Sequence, residues 1–191
     1  MKWLYFFLLM FSIPLCYGQE GDSIPVLSPC YSGLEFRVIN RNQQVLDTVI
    51  KYGREISPTY EDAVCTELVI GVLSHFFKLT KEDKTRIRID QPRESLQDVY
   101  DGMKNGAPEP KGIYYALTTN GRGNAIDDWS KVLPGDFVQF WYPNSWGHCG
   151  IVSSIDLENK VMYLHSSFPS TSGYGIQKFQ IPDYCFFVRL K

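Results

Sequence analysis

Residues 133–152 read LPGDFVQFWYPNSWGHCGIV and place a turn, a strand, a loop and a second strand in succession. Pro134 and Gly135 favour a turn, and the Asp136 carboxylate can accept a hydrogen bond from its own backbone. The next four residues, FVQF, predict a half-buried strand. After an aromatic loop, two glycines flank a His-Cys pair and leave room for another group to approach the backbone. His148 therefore enters a second strand and is a candidate functional residue.

The first eighteen residues have the outline of a signal peptide: Lys2, the apolar run WLYFFLLMFSIPL, then CYG before Gln19. An apolar core of about 7–15 residues followed by a small residue is typical of export, and it is shorter than the ~20 residues that span a bilayer. We expect cleavage after Gly18, because Leu15 is too bulky to precede a lipoprotein anchor at Cys16. The mature protein is expected to be exported, without stable membrane insertion.

Loss of residues 1–18 removes one lysine and no acid, so the formal charge moves from −2 to −3 over the remaining 173 residues. This balance has no basic footprint for nucleic acid, and we expect no such partner. The length suits one domain with its own core. We divide the chain into an extended lead-in at 19–39 and a single domain at 40–191, and expect a monomer.

Four cysteines remain after cleavage: Cys30, Cys65, Cys149 and Cys185. In an exported protein an even number of cysteines permits two disulfides. The spacing of the cysteines in the sequence does not decide which of them pair. Alternation points Cys149 away from the side that His148 faces, which indicates a core residue or a disulfide partner of Cys30 or Cys185. No paired cysteine and histidine spacing indicates a metal site, and no cofactor is expected.

Three helices are predicted ahead of the strands, at 40–53, 62–77 and 92–106. Residues 78–91 are charged without clear periodicity and predict an exposed connector. Residues 113–130 are rich in glycine and asparagine and predict a loop packed over the site.

Short apolar or alternating segments then predict strands at 147–155, at VMYLHSS ending with His165, at 174–180 and at 184–190. Helices first and a mostly antiparallel meander afterwards are typical of an α+β domain with helices packed on one side of the sheet.

The second helix carries an apolar stripe on one inward face. Its members are Cys65, Leu68, Val69, Val72, Leu73 and Phe76. In the first turn, unpaired backbone N–H groups and the helix dipole favour a thiolate. Cys65 is therefore either a buried structural cysteine or a nucleophile. His75, late in the same helix, is expected to be structural.

Cys65, His148 and His165 are the residue types of a cysteine nucleophile site. The sulfur must be a thiolate, an imidazole must hold its proton and give it to the leaving amine, and a third group must fix the tautomer of the ring. The backbone N–H of Cys65 would be one donor to the oxyanion. Ser166 or Ser167 is the alternative third residue.

The hairpin between the two histidines leaves two registers open. A turn at 156–157 would place His148 opposite His165, and a turn centred on 158–159 would pair His165 with Val152. Alternation leaves both histidines on one face in either register. The second register separates them by about 13 Å, so a bulge or a longer loop would be needed to bring them together.

From about residue 40 to its end, the chain resembles the NlpC/P60 superfamily of papain-like cysteine peptidases and amidases. The resemblance is carried by AVCTELV at the nucleophile helix, PGDFVQFW and GHCGIV at the strand pair with the histidine, MYLHSS at the third polar residue, and the later GYGI and FFVRLK segments. It implies a papain-like core with Cys65 as nucleophile, His148 as base and His165 as orienting residue, without metal or cofactor. The implied reaction is cleavage of amide bonds in peptidoglycan stem peptides.

The chain departs from that family at the nucleophile. Residues 64–67 are Val-Cys-Thr-Glu where the family has Asp-Cys-Ser-Gly, so the acid that helps to hold a free amine of the stem is missing. Glu67 or Asp62 would have to replace it. The resemblance gives Tyr60 the part of the tyrosine that contacts substrate, although its spacing to Cys65 is shorter than in the family. Trp146 belongs either to a groove that binds the wall or to simple loop packing.

Two other functions fit the same residues. The same cysteine and histidine could act as an amidase or acyltransferase on a non-wall substrate, such as a protein side-chain amide or a lipid ester. Alternatively, the chain is a catalytically inactive, disulfide-stapled domain that binds the wall, in which Cys65 is locked in a disulfide.

Overall fold

The structure is a computed structural model, and it describes residues 33–89, 96–143 and 145–191. The predicted signal peptide, Cys30 and the start of the helix predicted at 92–106 lie outside the described residues. The described residues belong to one compact unit.

Five helices precede or flank a six-stranded sheet. The helices are α1 (Gly33–Ile56), α2 (Cys65–Ser74), α3 (Lys81–Arg88), α4 (Leu96–Lys104) and α5 (Gly112–Thr119). The strands are β1 (Gly123–Ile126), β2 (Phe137–Trp141), β3 (Gly147–Asp156), β4 (Val161–Phe168), β5 (Gly173–Gln180) and β6 (Tyr184–Leu190). The sheet order is β1-β6-β2-β3-β4-β5, and every neighbouring pair is antiparallel. The predicted α+β class is confirmed.

Three sequence expectations about local structure are wrong. Helix α1 begins at Gly33, so the extended lead-in does not reach residue 39. The connector expected at 78–91 contains α3, because Thr80 and Asp83 form a reciprocal capping box and Ile87 is buried. The loop expected at 113–130 is largely α5 and β1, and β1 completes the edge of the sheet beside β6.

The two faces of the sheet bury different cores. Buried side chains of the helices pack on one face, against Phe137, Cys149, Ile151, Val188 and Leu190. The opposite face packs Val138, Phe140, Val152, Leu164 and Phe187 together with residues of the segments around β1. This alternation follows from the period of two along each strand. The stripe predicted on α2 is confirmed, since Leu68, Val69, Val72 and Leu73 are fully buried in the helical core.

The turn before β2 is anchored by the fully buried carboxylate of Asp136. Arg189 of β6 donates to both carboxylate oxygens at 2.8 Å, and Asn42 of α1 donates to Oδ1 at 2.9 Å. The predicted local bond is also present, from the Leu133 N–H at 2.7 Å. Gly135 has a φ of 90°, and a Cβ there would lie 2.4 Å from the Asn42 carbonyl oxygen. One carboxylate thus joins a helix, a turn and a central strand.

The β3–β4 hairpin contains a β-bulge that decides the faces of its side chains. Asp156 pairs with Val161, as a turn centred on 158–159 requires, but the register shifts by one residue between Val152 and Ser154. As a result, His165 pairs with Ile151. A one-residue shift exchanges the two faces of a strand, so the expectation that both histidines share a face is wrong.

Within the described ranges, no helix is both long and apolar enough to cross a membrane.

Replacing Asp136 by alanine should strongly destabilise the fold. The substitution leaves the Arg189 guanidinium, which is mostly buried, without its carboxylate partner, and such a loss costs about 3–5 kcal/mol. Urea unfolding measures the change in the free energy of unfolding.

The matched control is Glu82→Ala, which removes the exposed ion pair with Arg86 on α3 and should cost less than about 1 kcal/mol. An Asp136→Ala protein as stable as the control would contradict the anchoring role of this carboxylate.

Candidate active site

Cys65 is the first residue of α2 and lies where the helix begins to pack on the sheet. Val64 precedes it with extended backbone and provides no side-chain cap. No capping side chain therefore binds the N–H groups of the first turn. The side chain of Cys65 is partly exposed, which distinguishes it from the buried structural cysteine that the stripe alone would permit.

The thiol of Cys149, on β3, hydrogen-bonds the Cys65 sulfur. This bond is the largest cause that holds the pKa of Cys65 well below the ordinary thiol value, and it outweighs burial, which acts to raise that pKa. The same contact and the burial of Cys149 raise the pKa of Cys149 well above its usual value. Cys149 thus stays protonated and donates, while Cys65 is the thiolate that accepts.

His148 contributes a second hydrogen bond and a positive charge that lower the pKa of Cys65. The Nε2 atom of the ring is buried and has no hydrogen-bond partner. His148 and Cys65 also line the same two cavities. This arrangement is the Cys–His contact that nucleophilic catalysis requires.

Aromatic rings enclose the His148 imidazole. Phe168 stacks on it with centroids 4.9 Å apart and planes 26° apart, and Phe179 lies at 5.5 Å. Phe140 and Trp146 meet it edge-on, each at 5.9 Å. Packing against these rings fixes the orientation of the imidazole, and their faces stabilise a cation nearby.

The third residue predicted from the sequence is not beside His148. His165 points to the helical face because of the bulge, and its Nδ1 lies 3.0 Å from the Tyr174 hydroxyl. Burial lowers the pKa of His165. Its assignment as the orienting residue is therefore wrong.

The two alternative serines are also engaged elsewhere. The Ser166 hydroxyl donates to the Cys149 carbonyl oxygen at 2.7 Å, and the Ser167 hydroxyl accepts from Ser57 at 2.8 Å. Neither serine bonds His148, whose Nε2 has no partner. The structure therefore brings together a cysteine and a histidine, with aromatic packing in the place of a third polar group.

Two clefts meet at Cys65 and His148. The larger one, the aromatic cleft, has a volume of about 450 Å³ and is lined by Tyr60, Trp146, Phe168, Pro169 and Phe179. The smaller one, the polar cleft, has a volume of about 240 Å³ and is lined by Thr66, Arg88, Gln139 and Trp141. The candidate nucleophile is thus open on both sides, as attack on an extended substrate requires.

The three predicted substrate contacts are placed differently. Tyr60 and Trp146 line the aromatic cleft beside Cys65, and burial followed by the charge of Cys65 raises the pKa of Tyr60. The Glu67 carboxylate accepts from Arg88 at 2.6 and 3.0 Å, so an ion pair already occupies both oxygens. Asp62, the other candidate acid, is exposed and bonded to Thr59.

Two residues of the site were not expected from the sequence. Cys149 was expected only as core or as a disulfide partner, whereas its thiol bonds the candidate nucleophile. Gln139, on β2, is 2% exposed, pairs with Cys149 across the strands and lines the polar cleft. A glutamine inside the otherwise apolar FVQFW strand is the signal that could have revealed it.

Cys65, Cys149 and Cys185 are all free thiols. A disulfide between Cys149 and Cys185 is excluded because the two cysteines lie in cores on opposite faces of the sheet. Among the residues that the structure describes, no group of three or more histidine, cysteine, aspartate or glutamate side chains could hold a metal ion.

Comparisons of the chain with models of known protein families and with curated protein sequences find no match.

Replacing Cys149 by alanine should raise the pKa of Cys65, because it removes the hydrogen bond that lowers it most. In the wild-type protein, Cys65 is a thiolate at every pH above its lowered pKa. An ordinary thiol is mostly protonated below ~8.5, so the two differ between the lowered pKa and that value. Iodoacetamide labelling of Cys65 at about pH 6 should therefore slow by about tenfold or more in the variant.

Cys185→Ala is the matched control, since that thiol is also buried but lies on the other face of the sheet. It should keep the wild-type profile. A Cys149→Ala protein that also keeps the wild-type profile would contradict the role of the thiol–thiol hydrogen bond.

Proposed function

We propose that the protein is an exported cysteine hydrolase that cleaves amide bonds through Cys65 and His148, with peptidoglycan stem peptides as substrate. The observation that carries the proposal is the hydrogen-bonded, partly exposed Cys65 thiolate between His148 and Cys149 at the start of α2. Structural cysteines are buried in apolar surroundings that raise their pKa, as Cys185 is. A lowered pKa in an open cleft is typical of a reactive cysteine.

The reaction begins with attack of the Cys65 thiolate on the carbonyl carbon of the scissile amide. The resulting oxyanion accepts a hydrogen bond from the Cys65 backbone N–H at the helix start. Protonated His148 then gives its proton to the leaving amine, and the C–N bond breaks to leave a thioester.

The second half of the reaction restores the enzyme. Neutral His148 takes a proton from water, the hydroxide attacks the thioester carbonyl, and Cys65 leaves as a thiolate with the protonated imidazole beside it. The product is a carboxylic acid. A dyad suffices for these steps because Phe168 and the neighbouring rings orient the imidazole.

Several features support a papain-like core and the wall as the target. A nucleophile helix packs on an antiparallel sheet that supplies the histidine at the start of a strand, in the order that the NlpC/P60 resemblance implies. The proposed export signal would deliver the protein to the compartment that holds the wall. Tyr60 lines the aromatic cleft beside Cys65, which supports its proposed role as a substrate contact.

A different acyl substrate is the second candidate function. It is favoured by the ion pair that engages Glu67, since a bound carboxylate does not replace the acid that holds a stem amine in the NlpC/P60 pattern. A protein side-chain amide or a lipid ester would be cleaved by the same two residues. The inactive, disulfide-stapled domain is disfavoured because Cys65 is a free thiol.

Release of soluble fragments from purified peptidoglycan should require both residues of the dyad. Cys65→Ser and His148→Gln should each lower the rate by at least about a thousandfold, because each removes a group that acts in the transition state. His165→Gln should retain activity within about threefold of wild type, provided that its melting temperature shows a folded protein. Mass spectrometry of the fragments identifies the bond.

Equal loss of activity in folded His148→Gln and His165→Gln proteins would contradict the dyad. Wall digestion that persists in the Cys65→Ser protein would contradict the proposed function itself. If the wall stays intact while aryl-ester or amide model substrates are cleaved in a Cys65-dependent manner, the second candidate replaces the first.

A further inference from the structure

We infer that the aromatic cleft binds an uncharged, apolar group of the substrate next to the bond that Cys65 attacks. The inference rests on the proposed function for the identity of the reaction, and it adds the chemical class of the substrate group. Its size corresponds to one large side chain or a short acyl chain, because the whole cleft measures about 450 Å³ and also has to hold the reacting atoms.

The walls of the aromatic cleft are rings at fixed positions. Phe168 ends β4 and Phe179 belongs to β5, and the two rings lie 5.5 Å apart. Trp146 contacts Phe179 at 6.2 Å and is 44% exposed, so part of its surface is open to the cleft. A preformed apolar wall of this kind gains free energy by removing apolar substrate surface from water.

Apart from Cys65 and His148, none of the described side chains that line the aromatic cleft is charged. Its polar members are the neutral Tyr60, Ser170 and Gln177. A charged substrate group entering here would lose water without gaining an ionic partner from these side chains, which is costly. The walls therefore favour an uncharged group over an ammonium or a carboxylate.

The polar cleft differs from the aromatic cleft in its lining, and this difference would orient a bound substrate. It shares Cys65, Trp146 and His148 with the aromatic cleft. Beside the apolar Ile89 and Trp141 it also carries Arg88 and the amide of Gln139. A substrate that spans the nucleophile thus meets an apolar wall on one side and polar groups on the other. The apolar group is the part of the substrate that the aromatic cleft selects.

Covalent labelling tests the inference without requiring turnover. Three probes are compared at alkaline pH, where any thiol reacts: iodoacetamide, iodoacetate and N-phenethyl iodoacetamide. Peptide mapping assigns the label to Cys65, and each rate is divided by the rate of the same probe with free glutathione. The phenethyl probe should label Cys65 at least about tenfold faster than iodoacetamide after this correction, because its ring enters the apolar cleft. Iodoacetate should be slower than iodoacetamide.

Two variants test whether the preference for the phenethyl probe depends on the aromatic cleft. Trp146→Ser removes an exposed wall of the cleft and should reduce the phenethyl-to-iodoacetamide ratio by several-fold. Tyr163→Ser is the matched control, because Tyr163 is 39% exposed but does not line the cleft, and it should leave the ratio unchanged. The ratio within one protein cancels any change in the thiolate fraction of Cys65.

Equal corrected rates for the three probes, or a preference that survives Trp146→Ser, would overturn the inference. Failure of the proposed function looks different: the phenethyl preference would be present while neither wall fragments nor model substrates are cleaved. Cleavage of wall fragments without the preference would reject the apolar subsite and leave the hydrolase intact.

Discussion

The candidate site depends on one contact, in which the Cys65 sulfur accepts hydrogen bonds from the Cys149 thiol and the His148 ring. Both donors come from the first residues of β3, and the acceptor begins α2, so the contact exists only while that helix start is packed on that strand. The apolar stripe of α2 provides the packing. Asp136 aligns the turn that leads into β2, the partner of β3. The helical core and the buried carboxylate thereby set the position of the thiolate.

Much of this arrangement could be predicted from residue types and periodicity. The α2 stripe and the strand that begins at GHCG follow from local patterns, because helix and strand periods assign side chains to faces. The pairing of Cys65 with His148 was expected from their residue types and from the family resemblance, not from periodicity. The short helices were harder to predict. Helix α3 has mostly charged residues, and its stability comes from the capping box of Thr80 and Asp83 together with the burial of Ile87. The sequence of such a helix has no apolar stripe from which it could be predicted.

The role of His165 could not be predicted for a different reason. Its face depends on a single extra residue in β3, and a bulge leaves no clear mark in the sequence because it satisfies a tertiary register. The contact between Cys149 and Cys65 could not be predicted from the sequence either, since alternation assigns Cys149 to the core without showing which atoms it contacts there. The aromatic enclosure of His148 brings together Phe140, Trp146, Phe168 and Phe179, which are distant in the chain. Non-local contacts of this kind decide the chemistry of the site, whereas local patterns decide the elements.

The most direct measurement is the ultraviolet absorbance of the thiolate as a function of pH, in the wild-type protein and in Cys65→Ser. The structure predicts a thiolate signal that persists well below the ordinary thiol pKa of ~8.5 and is missing from the variant, because Cys149 and His148 stabilise the charged sulfur. The contrary result is a wild-type titration with an ordinary thiol profile, which differs from that of Cys65→Ser only in the size of the absorbance change. It would contradict a Cys65–His148 pair and with it the proposed hydrolase.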